Sequence, residues 1–268
     1  YKRQLLTQKT LTMASKSTEL IYGIHAVEAA IRKQAENVLQ VFVQQGRNDK
    51  RINTIIDLAK NSGISLQAIS NERLKAKCPG ARHQGVIAET RRSSENTLSL
   101  DDILQKETVL LLVLDEVQDP HNIGACLRTA DATGVDAVIV SKNRSPALTS
   151  VIRNVASGAA ETVPYIMVSN IARALEKIKH SGVWVIGTTG DATHSIYDSC
   201  RSITARQSLA LVMGSEGKGI RRLTRESCDE LVSIPMRGSV ESLNISVATA
   251  VCLYEIRRHQ SELESATD

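Results

Sequence analysis

The chain has 268 residues, of which 42% are hydrophobic and 23% charged, a globular make-up that excludes a disordered or collagen-like chain. Its length allows a sizeable core in one or two domains, and a 3% aromatic share leaves that core to aliphatic and Ala packing. The net charge of +4 is uneven: residues 1–107 hold 17 Lys and Arg against 11 Asp and Glu, whereas from 108 onward 16 stand against 18. Such an asymmetry suggests a nucleic-acid-facing front joined to a neutral back.

Residues 1–18, YKRQLLTQKTLTMASKST, are polar, lack the apolar segment of a signal peptide and are expected to be poorly ordered. Residues 19–92 read as a small α/β domain. GIHAVEAAIRKQ (23–34) has Ile24, Val27 and Ile31 on one helical face, and VLQVFVQ (38–44) has the residues of a strand. RINTIIDLAKNSG (51–63) is helical and ends on Gly63, and ISLQAI (64–69) and GVIAET (85–90) are short strands. Residues 93–107 are polar and Ser-rich and read as a linker with one weak helical turn.

From 108 to 268 the pattern becomes long alternating β and α segments. TVLLLVLD (108–115) is an apolar run typical of a strand buried on both faces. Helices are expected over 121–134, 145–159 (opened by Ser145-Pro146), 170–182 and 241–260, the last with Leu243, Val247, Ala250, Val251 and Tyr254 as its apolar stripe. Strands are expected over 135–140, 163–168, 183–189, 208–214 and 230–235. Six apolar strands alternating with helices imply an α/β domain with a mostly parallel sheet covered on both faces. No apolar run reaches the roughly 18 residues of a membrane span. The five cysteines have no C-x-x-C spacing and no His partner, so neither a disulfide framework nor a zinc site is expected, and free thiols fit a reducing, cytoplasmic setting.

Three segments carry signals that packing does not require, each just after a strand, where open α/β sheets bind ligands. In DEVQDPHNIGACLRTA (115–130), Gly124 permits a close approach, and Asn122 and Arg128 near a helix start are placed to grip ribose and phosphate. In VMGSEGKGI (212–220), three glycines interleave with Ser215, Glu216 and Lys218. This is neither the dinucleotide fingerprint nor a phosphate loop. In SIPMRGSVESLNISVATA (233–250), Ser242, Asn244 and Ser246 gather at a helix start, and N-capping accounts for only one of them.

Taken together, N-x-G-x-x-x-R-T-A at 122–130, G-S-E-G-K-G at 214–219 and I-P-M…E-S-L-N-I-S-V-A at 234–248 resemble the SPOUT superfamily, and within it the SpoU/TrmH-type RNA 2′-O-ribose methyltransferases. The resemblance implies a SPOUT trefoil-knot domain from 108 and a ribosomal-protein-like RNA-binding domain before it. It also implies a homodimer acting on RNA with S-adenosylmethionine as methyl donor, without metal or membrane. The layout is most similar to members that methylate a guanosine in large-subunit (23S) rRNA, with tRNA or another rRNA site as alternatives. By motif, Asn122, Arg128, Glu216, Ser242 and Asn244 match the catalytic positions, and Thr188, Gly190, Gly214, Ile234, Met236 and Leu243 those around the donor. A guanidinium stays protonated, so Arg128 is read as a clamp and not as a base.

The front domain would hold RNA by backbone and shape. Arg47, Arg51, Arg82 and Arg91 lead its candidate contacts, with Lys50, Arg73, Lys75, Lys77 and Arg92 beside them. Two other readings stay open on the residues alone: a nucleotide-cofactor oxidoreductase, disfavoured by the missing G-x-G-x-x-G, and a non-catalytic RNA-binding or ribosome-assembly protein.

Overall fold

A computed structural model describes residues 18–91, 98–203, 208–217 and 219–267, with the side chains of 200–203 and 263–267 left aside. Residues 1–17, Arg92, residues 93–97, Lys218 and the Cys200 side chain, all named above, lie outside the described residues.

The front of the chain forms a four-stranded sheet in the order β1-β4-β2-β3. Its strands are β1 (Thr18–Tyr22), β2 (Val38–Gln44), β3 (Ser65–Ile69) and β4 (Val86–Arg91), and its helices α1 (Ile24–Gln34), α2 (Lys50–Asn61) and α3 (Asn71–Lys77). Only β2 and β3 pair in parallel; β4 runs antiparallel to both of its neighbours. Thr18 already pairs with Arg91, so β1 begins where the chain was expected to be disordered. On one face Val27, Ile31, Ile52, Ile55, Val41 and Val43 form the core under α1 and α2. The single Phe, Phe42, is buried on the other face, with the Lys77 ammonium 4.0 Å from its ring centroid.

Before the larger sheet, α4 (Leu100–Leu104) is closed by a capping box between Ser99 and Asp102. Its Leu100 and Ile103 are buried in the larger core, so this stretch packs and does not merely connect.

The larger sheet has seven strands, all parallel, in the order β7-β6-β5-β10-β8-β11-β9. In chain order its elements are β5 (Leu110–Asp115), α5 (Pro120–Ala132), β6 (Ala137–Ser141), α6 (Ser150–Ala156), β7 (Tyr165–Val168), α7 (Ile171–His180), β8 (Trp184–Thr188), β9 (His194–Ser195), α8 (Ile196–Ile203), β10 (Leu209–Gly214), α9 (Arg222–Glu226), β11 (Glu230–Ser233) and α10 (Ile245–Thr267). Side chains alternate across each strand. Leu110, Leu112 and Leu114 enter one core with α5, α6 and α10, whereas Leu111 and Val113 enter another with α4 and α7. The apolar run 108–115 is thereby explained: neither face of β5 meets water.

Two helices differ from expectation. The helix expected over 145–159 starts at Ser150, capped by the Thr149 hydroxyl, which accepts from the Ile152 amide. Ser145 and Pro146 do not open it, because the Ser145 amide turns back to the Ser141 carbonyl and the Pro146 carbonyl accepts from the Tyr165 hydroxyl at 2.8 Å. The helix expected over 241–260 starts at Ile245, leaving Ser242, Leu243 and Asn244 before it. Its buried stripe is Ile245, Thr249, Cys252, Leu253 and Ile256; the expected stripe instead faces outward, with Val247 49% and Tyr254 57% exposed.

Arg257 ties α10 to α5. Its guanidinium donates to the Thr133 carbonyl at 2.6 Å and the Gly134 carbonyl at 2.7 Å, partners for the otherwise unpaired end of α5. The front of the chain also meets the larger domain directly, through β1 and α6. Arg153 of α6 pairs with Glu161 at 2.7 Å and with Glu19 of β1 at 3.2 Å. Burial pushes the Glu161 carboxyl above its usual range against the pull of Arg153.

Candidate active site

A parallel sheet has all its carboxyl ends on one edge. Here four neighbouring strands, β11-β8-β10-β5, end at Ser233, Thr188, Gly214 and Asp115, and all but β8 lead into the three segments singled out above.

Three of the expected catalytic side chains meet over that edge. The Asn244 amide Nδ2 donates to Glu216 Oε1 at 2.6 Å and to Asn122 Oδ1 at 3.0 Å. Asn122 Nδ2 donates to the same Glu216 oxygen at 3.2 Å, and the Ile245 backbone N–H points at it from 3.3 Å. The carboxylate thus sits at the amino terminus of α10, where the helix dipole favours negative charge. Asn244 Oδ1 caps the same helix, accepting from the Ser246 amide at 3.0 Å and hydroxyl at 2.6 Å. Glu216 Oε2 accepts from none of the described residues and is open to a ligand.

Arg128 and Ser242 do not join this junction. Both are exposed, and neither side chain joins Asn122, Glu216 or Asn244 by a hydrogen bond. Arg128 lies six residues beyond Asn122 on α5, about 9 Å along the axis and about 120° around it. The two therefore project from different faces of α5, although both were expected to grip one nucleotide. Gly124 faces no ligand: a Cβ there would lie 2.7 Å from Val155 Cβ and 2.9 Å from the Ile152 carbonyl oxygen, so this glycine lets α5 pack on α6.

The glycine loop after β10 is tied at its root. Ser215 and Gly219 exchange backbone hydrogen bonds of 3.2 and 2.9 Å. A Cβ on Gly214 would stand 2.1 Å from the Gly219 carbonyl carbon, so only glycine lets the returning strand lie against β10. Next to it Asp115, 0% exposed, receives the Arg221 backbone N–H at 3.0 Å, Nε at 2.9 Å and Nη2 at 2.7 Å. Asp115 holds the Arg221 guanidinium even more firmly protonated than usual. The only sequence signal for this pair is an Asp ending a wholly apolar strand.

A cavity of about 510 Å³ opens beyond β5, lined by Ser141, Asn143, Arg144, Asn170, Arg221 and Arg222 among others. Arg144 pairs with Glu116, Arg221 with Asp115 and Arg222 with Glu226. This cavity is charge-matched and is lined by none of the expected site residues.

Comparison with known proteins bears on this edge. The model of the SpoU rRNA Methylase family matches residues 109–254, and that for RNA 2′-O ribose methyltransferase substrate binding matches residues 20–95. The 23S rRNA (guanosine-2′-O-)-methyltransferase RlmB of Vibrio cholerae is 52% identical over 246 residues, covering 91% of this chain and 98% of the relative. RlmB of Escherichia coli K12 is 50% identical over 247 residues, covering 91% and 100%. The chain belongs to the SpoU rRNA methylase family. A crystal structure of an RNA 2′-O ribose methyltransferase matches with a TM-score of 0.76 at 26% identity, over 92% of this chain and 90% of that one. The fold is also that of the SpoU methyltransferase AviRb from Streptomyces viridochromogenes, solved in complex with AdoMet, with a TM-score of 0.74 at 22% identity, over 91% of each chain.

Within this SpoU chain, of the six residues expected around a donor, Thr188 and Gly214 end β8 and β10, and Gly190 and Ile234 follow β8 and β11 closely. Ile234, Met236 and Leu243 are half-buried, and open space lies where a Gly190 side chain would be. The Thr188 hydroxyl is spent within the sheet, 3.2 Å from the Val212 carbonyl.

The front-domain arginines divide. Arg47, Arg51 and Arg82 lie at one end of the small sheet, where β2 finishes and β4 starts, whereas Arg91 lies at the far end of β4. Arg47 is half-buried and bound within the protein, to Asp49 at 2.6 Å and the Gln84 carbonyl at 2.5 Å, so it shapes this end. Arg51 and Arg82 are exposed. His83, next to Arg82, is buried, its Nδ1 accepting from the Gly85 amide at 3.1 Å. Burial, helped by Lys75 and Arg47, pulls its pKa down. Of the cysteines, Cys78, Cys126 and Cys228 are free thiols, with Cys126 pushed by burial up to about 11.

Proposed function

We propose that this chain methylates the ribose 2′-oxygen of a guanosine in 23S rRNA, using S-adenosylmethionine. The observation that carries the reading is the Asn122–Glu216–Asn244 junction, which joins the three motifs of the resemblance at one strand edge. Curated relatives half identical to the chain are named for that reaction.

The half-buried apolar side chains of Ile234, Met236 and Leu243, with the open space at Gly190, fit an adenosine-bearing ligand. When bound, S-adenosylmethionine supplies a methyl group already activated on a sulfonium. The protein's work is then alignment and proton management. Glu216 and the two asparagines fix the strand-end loops in one geometry, and Glu216 Oε2 is an acceptor facing the site. Ser242 stands exposed beside Leu243 as a further hydroxyl for the ribose. Arg128 grips an RNA phosphate and the developing charge through its planar fork, and the 2′-hydroxyl proton leaves to phosphate or water. Arg128→Lys is expected to lower turnover about 100-fold; near-normal turnover would sink the clamp.

The front domain supplies the hold on folded RNA, with Arg51 and Arg82 presented to solvent at one end. The chain works as a homodimer: the outward stripe of α10, with exposed Val247 and Tyr254, is covered by a second copy. Light scattering tests this, and a monomer at micromolar concentration would exclude it. Acting on rRNA places the protein in the cytoplasm.

Two experiments test the whole reading. Calorimetry should show S-adenosylmethionine binding, and none at millimolar donor would end the enzyme hypothesis. Mapping 2′-O-methyl marks in RNA from a deletion strain should show one guanosine mark lost from 23S rRNA; one lost from tRNA would overturn the substrate.

A further inference from the structure

We propose that Asp115 and Arg221 are positioning residues for methyl transfer, acting as a clamp that holds the 214–221 loop closed so that Glu216 meets both asparagines. This inference rests on the methyltransferase reading above.

The geometry is specific. Asp115 is the last residue of β5 and lies opposite Gly214, the last residue of β10, in the pairing of the two strands. The loop leaves at Gly214 and returns at Arg221, so the pair closes the loop across the ends of two adjacent strands. Arg221 makes three contacts to one carboxylate, two from its side chain and one from its backbone. That fixes the chain direction at the exit of the loop as well as the side chain. The Ser215–Gly219 bridge fixes the loop from inside. Between these ties stand Glu216 and Gly217, and Gly217 at φ +80° is free of side-chain constraint.

The hydrogen bonds of Glu216 reach residues 94 and 28 positions away in sequence. They form only if the loop carries the carboxylate to a set height above the sheet. A loop rich in glycine does not hold that height by itself, because each glycine adds backbone freedom. Asp115 is fully buried and so committed to this pair, and among the described residues it hydrogen-bonds to none of the asparagine junction. A second ion pair supports the clamp from the side: Glu116, held at φ +61°, lies 3.4 Å from Arg221 and also pairs with Arg144.

The test uses the full-length protein with Arg221→Lys, Arg221→Gln and Asp115→Asn, read in three ways. First, turnover is measured per donor-binding site, so that a misfolded fraction does not count. A drop of about 10- to 100-fold is expected for both Arg221 variants, as a reacting group displaced by about 1 Å loses, with RNA affinity unchanged within about twofold. Second, amide exchange without donor should speed up at Gly219, whose N–H bonds to Ser215, while the β5 amides keep their protection. Third, the melting temperature tracks folding. Arg221 is partly exposed and replaceable, so its two variants decide the outcome even where Asp115→Asn fails to fold.

Wild-type turnover per site in both Arg221 variants, or unchanged exchange at Gly219, overturns the clamp. So does a loss that follows the melting temperature alone. A wild-type protein that neither binds S-adenosylmethionine nor methylates RNA overturns the parent reading instead.

Discussion

The two sheets end in edges built on opposite plans. At the carboxyl edge of the large sheet, polar side chains bind one another: Glu216 Oε1, Asn122 and Asn244 form one set, and Asp115 and Arg221 another beside it. At the β2 end of the small sheet the cations look outward, and only Arg47 and His83 are drawn in to shape the turn. A site that must place one oxygen against one carbon needs pre-set geometry. A surface that holds folded RNA by its phosphates needs free charge and tolerates looser placement. Residues 18–91 hold 11 Lys and Arg against 7 Asp and Glu, so the domain proposed to grip RNA carries a basic excess, whereas the part proposed to align the reactants, from 108 onward, does not.

That contrast can be broken at either edge. The largest effect is expected from Gly214→Ala, whose Cβ would meet backbone atoms at 2.1 to 2.4 Å that no rotamer change relieves. Methyl transfer should fall at least about 100-fold, while filter binding shows RNA still held by the front domain. Glu216→Gln keeps the shape but replaces an acceptor oxygen by a donor among the asparagine amides, and a loss of about 10- to 100-fold is expected in single-turnover assays. Gly124→Ala should cost about 1–3 kcal/mol in urea unfolding, because α6 must move away from α5.

At the other edge, Arg51→Ala and Arg82→Ala should each weaken RNA binding several-fold and lower the salt-dependence slope by about one. Arg91→Ala, at the far end of β4, should change little. An equal loss at Arg91 would show that the gripping surface is not confined to one end.

The smallest effect concerns pH. The folded protein depresses the His83 pKa, so the neutral ring is the form that packs. Its contribution is present above the unfolded value, about 6.5, and fades as pH falls through the lower folded value. Thermal melts at pH 7.5 and pH 5 should therefore differ less for His83→Gln than for the parent.

Much of the large sheet was legible because strands buried on both faces read as unbroken apolar runs, as β5 and β10 do. What periodicity misjudged were the boundaries. Ser145-Pro146 has the residues of a helix start, yet a turn after β6 claims the Ser145 amide and the tyrosine of β7 claims the Pro146 carbonyl. Asn244 was legible as a site residue but not as a cap standing outside its helix. The stripe Val247–Tyr254 was legible as apolar, but which of two apolar stripes on α10 faces the sheet depends on tertiary packing. Asn122, Glu216 and Asn244 could be named from their motifs. The Asp115–Arg221 pair, 106 positions apart, is created by strand order, and an Asp ending an apolar strand does not name its partner.

Gly158, at φ +100°, is where α1 of the front presses on the back: a Cβ there would lie 2.9 Å from Ala29 Cβ and 3.1 Å from the His25 carbonyl oxygen. The two halves are therefore not freely interchangeable cartridges. A chimera that grafts another relative's front onto this back must bring a small residue at 29 and leave glycine at 158, with an acid at 19 to answer Arg153. Specificity for a new RNA would then be inherited through a fitted joint, and residues at that joint would have to change together with the surface that reads the substrate.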